Sequence, residues 1–148
     1  MATTSAIAYV QAAWHTDITD ACKEAFLAEL RRRGHDPAAV ELFTAPGSLE
    51  LPLIAKKLAR TGKYAAVCLS GLVVDGGIYR HEFVAQAVLH GIVLTSLETE
   101  VPILSAVLTP HHFHEHAAHV EFFRGHMTTK GTELASACLG VIDNLAAV

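Results

Sequence analysis

A long apolar run at residues 64–74, YAAVCLSGLVV, limits the folds open to this chain more than any other feature. It offers almost no polar side chain to water on either side, which is typical of a central strand in a parallel sheet covered on both faces. Shorter apolar runs without helical spacing predict three further strands, at residues 6–14, 40–44 and 101–108. The four runs together predict a parallel sheet.

Segments with helical spacing separate these strands and favour an α/β fold. Asp17 is placed to cap a helix that runs to Arg33, where Gly34 follows in a position that favours helix termination. Further helices are predicted from the turn at residues 46–52 to Arg60, after residues 75–80, across residues 109–123 and from Thr132 to Ala146. Strands alternating with helices form a parallel sheet with helices on both faces. No linker interrupts the pattern, so residues 1–148 are predicted to form one domain.

Charge and composition argue against several classes of protein. The formal net charge is -4, and residues 31–33 are the only run of basic side chains, so no nucleic-acid partner is expected. No apolar stretch reaches the roughly 18 residues that span a bilayer, and residues 1–14 lack the regions of a signal peptide. We therefore expect a cytoplasmic protein that binds no membrane. Three widely spaced cysteines fit reduced core thiols better than disulfides.

Ligands of parallel α/β sheets bind beyond the carboxyl ends of the strands, so the segments that follow each strand are candidate sites. Trp14 is placed to stack on a flat heterocycle, although a lone tryptophan more often belongs to the core. Glu50 either hydrogen-bonds a ligand or only begins a helix. In DGGIYRH, residues 75–81, two glycines before a helix fit an anion cradle with Arg80 as a clamp. They fit an ordinary turn equally well.

Histidine is concentrated between residues 111 and 126, which raises the question of a metal site. His112, His116 and His119 would share one face of a helix, which is a plausible set of ligands. The segment does not match the HExxH pattern, and no cysteine or carboxylate clearly completes the set. We expect no metal and no cofactor here, with the histidines exposed or in contact with an anionic substrate. Signatures of serine or cysteine nucleophiles are absent as well.

Four short motifs, in the right order, together resemble the lumazine synthase family of riboflavin biosynthesis. They are Trp14-His15, PGSLELP at 46–52, GLVVDGG at 71–77 with EFV following, and VPILSAVLTP at 101–110. Each fragment alone is weak, but each lies at the end of a predicted strand, and the match covers nearly the whole chain. The resemblance is closest to the second type of the family, found in some proteobacteria. It implies a flavodoxin-like three-layer αβα sandwich with a four-stranded parallel sheet.

The resemblance also implies a reaction and a role for each motif. The family condenses 5-amino-6-(D-ribitylamino)uracil with 3,4-dihydroxy-2-butanone 4-phosphate to give 6,7-dimethyl-8-ribityllumazine, phosphate and water, without a cofactor. Trp14 would stack on the pyrimidine, and Ser105 would lie beside it. The ribityl chain and the ring edge would bind to Ser48, Leu49, Glu50, Leu72, Val73 and Val74. The phosphate would bind to Gly77, Ile78 and His119.

The chain departs from the resemblance where most relatives carry a histidine. Arg80 occupies that position here, and His81 follows it. Because arginine stays protonated, either Arg80 acts electrostatically or His81 takes over proton transfer. Successive helical residues point about 100° apart, so both cannot face the site, and we assign the catalytic role to Arg80 by position, with His81 as the alternative. A lumazine- or flavin-binding or scaffold protein of the same fold with low turnover is the alternative function.

The resemblance implies a homo-oligomer. Lumazine synthases form pentamers with active sites between neighbouring subunits, and some stack as decamers or close into icosahedral shells. The segment between His119 and Lys130 differs from the glycine-rich loop of shell-forming relatives, which favours a decamer of two face-to-face pentamers. The histidine-rich helix would then lie near the second interface, which protonation below about pH 6.5 would loosen.

Overall fold

The computed structural model describes residues 6–74, 80–110 and 117–148, and Ala117 by its backbone alone. Four strands form one parallel sheet in the order β2-β1-β3-β4. Their bounds are β1, Ile7–Ala12; β2, Val40–Ala45; β3, Ala66–Leu72; and β4, Ile103–Leu108. The central strands β1 and β3 are buried along their whole length. From β1 the chain adds β2 on one side of the sheet and then β3 on the other, so the strand order reverses between β1 and β3. Ligands of such sheets bind at this switch point, beyond the carboxyl ends of the two strands.

Four helices cover the sheet. They are α1, Thr16–Arg32; α2, Leu51–Ala59; α3, His81–Thr99; and α4, Ala117–Ala146. Helices α1 and α4 pack on one face, and α2 and α3 pack on the other. Two short 3-10 turns, Pro37–Ala39 and Ser48–Glu50, precede β2 and α2. The predicted flavodoxin-like three-layer αβα sandwich with a four-stranded parallel sheet is confirmed.

Alternate residues of β1 supply the two halves of the core. Ile7 and Tyr9 face α1 and α4, where the ring of Tyr9 lies 5.0 Å from that of Phe26. Ala8 and Val10 face α2 and α3. A strand that must be apolar on both faces produces a continuous apolar run in the sequence, and this explains why the central strands were predictable.

The start of α1 differs from the prediction. The helix begins at Thr16, one residue before the predicted cap Asp17, which lies in the first turn. His15 precedes the helix in the left-handed conformation, with φ of 54°, and its carbonyl accepts the N–H groups of Ile18 and Thr19. The prediction of Asp17 as the cap is therefore wrong, because the turn is made by a backbone conformation that histidine rarely adopts. At the other end, Gly34 has φ of 86°, as its predicted role requires.

Two helices predicted near the carboxyl terminus, across residues 109–123 and from Thr132 to Ala146, are also wrong. From Ala117 onward the chain forms the single helix α4. Within this helix Gly131 has a packing role: a Cβ there would lie 2.2 Å from the carbonyl oxygen of Cys22 in α1. The glycine therefore permits α1 and α4 to cross closely. The first part of the earlier predicted helix, residues 111–116, lies outside the described residues.

All three cysteines are free and buried, as predicted for core thiols. Burial raises the pKa of the Cys22 thiol, and it raises the pKa of Cys68 well above its ordinary value. Thiolate chemistry is therefore disfavoured at both positions. No helix within the described parts of the chain is long and apolar enough to cross a membrane.

Candidate active site

A cleft of about 500 Å³ lies beyond the carboxyl ends of β1 and β3. Three segments that are distant in the sequence form most of it, and α3 adds one side. The lining residues are Trp14, His15, Gly47, Ser48, Leu49, Glu50, Leu72, Val73, Val74 and Val84. Every residue predicted to bind the pyrimidine or the ribityl chain is among them except Ser105. The structure thus gathers the predicted binding residues at the expected edge of the sheet.

Trp14 is the aromatic wall of the cleft. Its side chain is 66% exposed, so the alternative that this lone tryptophan belongs to the core is wrong. The left-handed backbone of His15 ends the extended chain directly after Trp14 and turns it into α1. Residues held in sparsely populated conformations often lie at functional sites. An exposed indole fixed by a tight turn is suited to stacking on a planar ring.

The turn before α2 brings a carboxylate and the indole to one place. A Cβ on Gly47 would lie 3.3 Å from Oε1 of Glu50 and 3.5 Å from Nε1 of Trp14. The turn is closed by a long hydrogen bond from the Glu50 N–H to the Gly47 carbonyl, at 3.4 Å. Because Gly47 has no side chain, both the acceptor oxygen and the indole can lie against it. A ligand that stacks on Trp14 would therefore meet the Glu50 carboxylate at its edge.

The end of β3 forms the apolar part of the cleft. Leu72 and Val73 are buried, and Val74 is partly buried. The Val73 N–H donates to the Leu108 carbonyl at 2.8 Å, so it is committed to the sheet. This segment is rigid because it continues a central strand. It contributes shape more than hydrogen-bond donors to a bound ligand.

Arg80 directly precedes α3 in an extended conformation, and His81 is the first residue of the helix. Val84, in the first turn of α3, lines the cleft, whereas Arg80 is not among the lining residues. Its side chain is exposed, with the guanidinium 5.7 Å from the Phe83 ring centroid. His81 lines a separate groove with Glu82, and its Nδ1 lies 3.7 Å from the Glu82 carboxylate. Neither Arg80 nor His81 lines the cleft around Trp14.

Two predicted site residues lie away from the cleft. Ser105 is exposed on the edge strand β4, and its hydroxyl accepts the N–H of Val107 at 3.1 Å. His119 lies in the first turn of α4, with its ring 4.8 Å from that of Phe123. Neither residue lines the cleft. The predicted phosphate-binding residues Gly77 and Ile78 lie outside the described residues.

A metal centre finds no support in the part of the chain that the structure describes. No group of three or more histidine, cysteine or acidic side chains there could hold an ion. Of the three histidines considered as ligands, only His119 is described, and His112 and His116 are not.

The family model of 6,7-dimethyl-8-ribityllumazine synthase matches residues 4–146. The chain belongs to this lumazine synthase family. It is 48% identical to the 6,7-dimethyl-8-ribityllumazine synthase of Rhodococcus erythropolis, over 96% of this chain and 92% of that protein. Proteins named 6,7-dimethyl-8-ribityllumazine synthase 2 are 47% identical in Pseudomonas syringae pv. tomato and 49% identical in Bradyrhizobium diazoefficiens. Each alignment covers 94% of this chain, with 82% and 83% of the relatives.

A solved structure of a flavodoxin from the domain Archaea aligns with 89% of the chain and 98% of its own, at 11% identity and a TM-score of 0.37. This overlap is too low to carry an argument, and the fold assignment rests on the strand order instead.

Three residues that line the cleft were not predicted as site residues: His15, Gly47 and Val84. His15 stood beside Trp14 in the motif, but nothing local indicated its left-handed backbone. Gly47 belongs to PGSLELP, where its lack of a side chain could have suggested a close approach. Val84 looked like an ordinary apolar position of α3, and only the tertiary structure brings it to the cleft.

Proposed function

We propose that the cleft around Trp14 is the pyrimidine-binding half of a lumazine synthase active site. As a member of this family, the chain is a transferase of riboflavin biosynthesis. The proposed reaction joins 5-amino-6-(D-ribitylamino)uracil to 3,4-dihydroxy-2-butanone 4-phosphate and releases 6,7-dimethyl-8-ribityllumazine, phosphate and water. The observation that carries the proposal is the convergence of Trp14, the 48–50 turn and residues 72–74 on one cleft.

The pyrimidine stacks on the Trp14 indole, and its polar edge faces the Glu50 carboxylate. The exposure of Trp14 supports the stacking, because a large aromatic surface is available to a planar ring. The position of Glu50 across Gly47 supports the hydrogen-bonding role, since a carboxylate accepts from ring N–H and ribityl hydroxyl groups. Residues 72–74 form the apolar floor against which the ribityl chain lies.

The reaction requires the protein chiefly to hold the two substrates in the correct relative position. The amine of the pyrimidine attacks the ketone, and a first water leaves to give an imine. Phosphate is then eliminated to leave a second ketone, which the ribityl-bearing amine attacks, and the ring closes with loss of a second water. Positioning of two reactants supplies much of the rate of such a condensation. A rigid floor from β3 and a turn fixed at the start of α2 provide this positioning.

Arg80 is the proposed catalytic residue, with His81 as the alternative. Arg80 directly precedes α3, at the amino end of the helix, where the dipole favours anions. A permanently charged guanidinium stabilises the departing phosphate and polarises the ketone without changing its own protonation. Gly77 and Ile78 remain the proposed donors to the phosphate.

Ser105 and His119 are proposed to serve the cleft of a neighbouring copy. Both lie away from the cleft of their own chain, on β4 and α4. In a cyclic assembly, one subunit presents the pyrimidine half and the next presents these two residues. Ser105 then lies beside the pyrimidine, and His119 contacts the phosphate.

The proposed assembly is a pentamer, with two pentamers stacked face to face as a decamer. Its support is the outer surface of α2 and α3, where large apolar side chains are exposed on one chain: Leu53, Leu89, Val93, Leu94 and Leu97. Contiguous apolar surface of this kind marks interaction sites. In contrast, α1 and α4 cover each other closely at Gly131.

Sedimentation at neutral pH tests the assembly. The wild type is expected to sediment as a decamer, and Leu97→Asp, which places a charge on the apolar surface, as smaller species. Ala28→Asp on the exposed side of α1 is the matched control and should leave the mass unchanged. A monomeric wild type, or equal loss of mass in both variants, would refute the assignment of this surface.

Product formation tests the function itself. When the protein is mixed with both substrates, we expect the absorbance and fluorescence of the lumazine to rise faster than in a protein-free control. Exhaustive chelation should leave the rate unchanged. Tight lumazine binding without turnover would instead establish a binding protein of the same fold.

A further inference from the structure

Gly71 lies near the end of β3, on the face that carries α2 and α3, and three elements approach it. A Cβ built on Gly71 would lie 2.8 Å from Oγ of Ser48, 3.3 Å from Cβ of Ala12 and 3.7 Å from Cδ1 of Leu51. The first distance is shorter than any ordinary contact. The Ser48 hydroxyl therefore occupies the space in which a side chain of residue 71 would stand.

Glycine inside a buried central strand is otherwise unfavourable, because it weakens the strand and packs nothing. The close approach of Ser48 gives this glycine a specific reason. Ser48 begins the turn that continues into Leu49 and Glu50, and all three residues line the cleft. A side chain at residue 71 would push against the hydroxyl of Ser48, and so against the residue that begins this turn.

The same turn sets the geometry of the pyrimidine site. Oε1 of Glu50 and Nε1 of Trp14 lie 3.3 and 3.5 Å from the position that a Cβ of Gly47 would occupy. A shift of the turn by a fraction of an ångström therefore changes the gap into which a ring must fit. Reacting groups tolerate little misplacement, since about 1 Å can cost two orders of magnitude in rate.

We propose that Gly71 is a positioning residue for the pyrimidine substrate: it seats the Ser48 hydroxyl and so sets the distance between the 48–50 turn and Trp14. This assignment rests on the proposed function of the cleft. The residue touches no substrate and acts through Ser48. It is therefore expected to affect the pyrimidine and not the four-carbon phosphate.

A double-mutant cycle tests the assignment through Gly71→Ala, Ser48→Ala and the two combined. For Gly71→Ala we expect the Kd of 6,7-dimethyl-8-ribityllumazine and the KM of the pyrimidine to rise about tenfold, with the KM of the four-carbon phosphate within about twofold. In the Ser48→Ala background the clash is absent, so adding Gly71→Ala should cost less than about threefold. Quenching of Trp14 fluorescence measures the binding. Gly140→Ala, where a Cβ meets nothing within 4 Å, is the control for glycine substitution.

An equal penalty from Gly71→Ala in both backgrounds, or no penalty, would overturn the assignment. If Gly71→Ala does not fold, the double variant decides: a folded, binding double variant supports the role of Ser48, and an unfolded one overturns it. A wild type that neither binds nor forms the lumazine refutes the proposed function instead. The positioning claim is then decided by a crystal structure of Gly71→Ala, in which an unmoved Ser48 hydroxyl would overturn it.

Discussion

The two edges of the parallel sheet are built for different purposes. The carboxyl edge exposes Trp14 and Leu49 around an open cleft. The amino edge carries ion pairs near the ends of the helices and beside the starts of the strands. Glu41 at the start of β2 accepts the Tyr64 hydroxyl at 2.6 Å and pairs with Lys63. The carboxyl edge is therefore accessible to a ligand, whereas the side chains at the amino edge pair with one another.

Two further carboxylates hold the amino edge. Glu29, near the end of α1, accepts from Arg32 at 3.0 Å, and the Glu98 carboxylate lies 2.7 Å from Nζ of Lys56, linking α3 to α2. The hydrogen bond from Arg32 lowers the pKa of Glu29, and Lys56 lowers the pKa of Glu98. Lys63, followed by Tyr64, lowers the pKa of Glu41. Substitutions at the two edges should therefore separate into effects on function and effects on stability.

The largest effect is expected from removing the aromatic wall at the carboxyl edge. Trp14→Ala should weaken lumazine binding about 100-fold, because stacking on an aromatic ring contributes on the order of 1–3 kcal/mol per base. Trp14→Phe keeps a stacking surface and should lose far less. Calorimetry measures both, since the variants lack the fluorescent probe. The thermal midpoint should barely move, because the indole is exposed. If Trp14→Ala binds lumazine with nearly the wild-type affinity, the Trp14 cleft is not the lumazine-binding site.

A smaller effect should distinguish Arg80 from His81, the two candidates for the catalytic role. Arg80→Ala should lower kcat about 30-fold, since it removes a charge that stabilises the leaving phosphate, and Arg80→Lys should recover part of this loss. His81→Ala should change kcat less than about threefold, because proton transfer is not assigned to it. Steady-state assays across pH separate the roles. If His81→Ala instead lowers kcat more than Arg80→Ala does, and one side of its pH–rate profile disappears, His81 is the catalytic residue.

The amino edge should respond to acid and leave ligand binding intact. Because Glu29, Glu41 and Glu98 have lowered pKa values in the fold, the unfolded chain binds more protons near its ordinary carboxyl pKa of about 4.3. Their stabilisation is complete above about pH 5 and is lost as the pH falls through that value toward the folded pKa values. Urea midpoints should fall from pH 6 to pH 3, and less steeply in Glu29→Gln than in wild type.

Glu24→Gln, an exposed position of the same helix α1, serves as the control for this acid effect and should follow the wild type. Lumazine affinity at neutral pH should be unchanged in both variants. If Glu29→Gln weakens ligand binding without loss of stability, the two edges are coupled and the comparison fails.

The carboxyl edge could be predicted from the sequence because local rules act there. A strand that is buried on both faces leaves a continuous apolar run, and the residues after such runs must meet at one edge of a parallel sheet. The motif around residues 46–52 and the segment 72–74 were therefore placed correctly together. The left-handed conformation of His15, next to Trp14, could not be predicted, because an unusual backbone angle leaves no periodic pattern in the sequence.

The amino edge and the course of α4 could not be predicted in the same way. Tyr64 and Glu41 are 23 positions apart and meet only when β1 has been inserted between their strands. The close packing of Gly131 against Cys22 likewise joins α4 to α1, which is distant in the sequence. Such pairings are tertiary and have no local signature. The contacts proposed for Ser105 and His119 are also beyond local sequence patterns, because their proposed partners lie on another chain.

Subunit complementation tests most directly the central claim, that the Trp14 cleft is half of a site completed by a second copy. Trp14→Ala and His119→Ala chains, each nearly inactive alone, are refolded together at equal amounts. Random cyclic assembly then pairs an intact Trp14 with an intact His119 from the neighbour at about one site in four. We predict about a quarter of the wild-type rate of lumazine formation. A mixture no more active than the two variants measured separately would contradict the account.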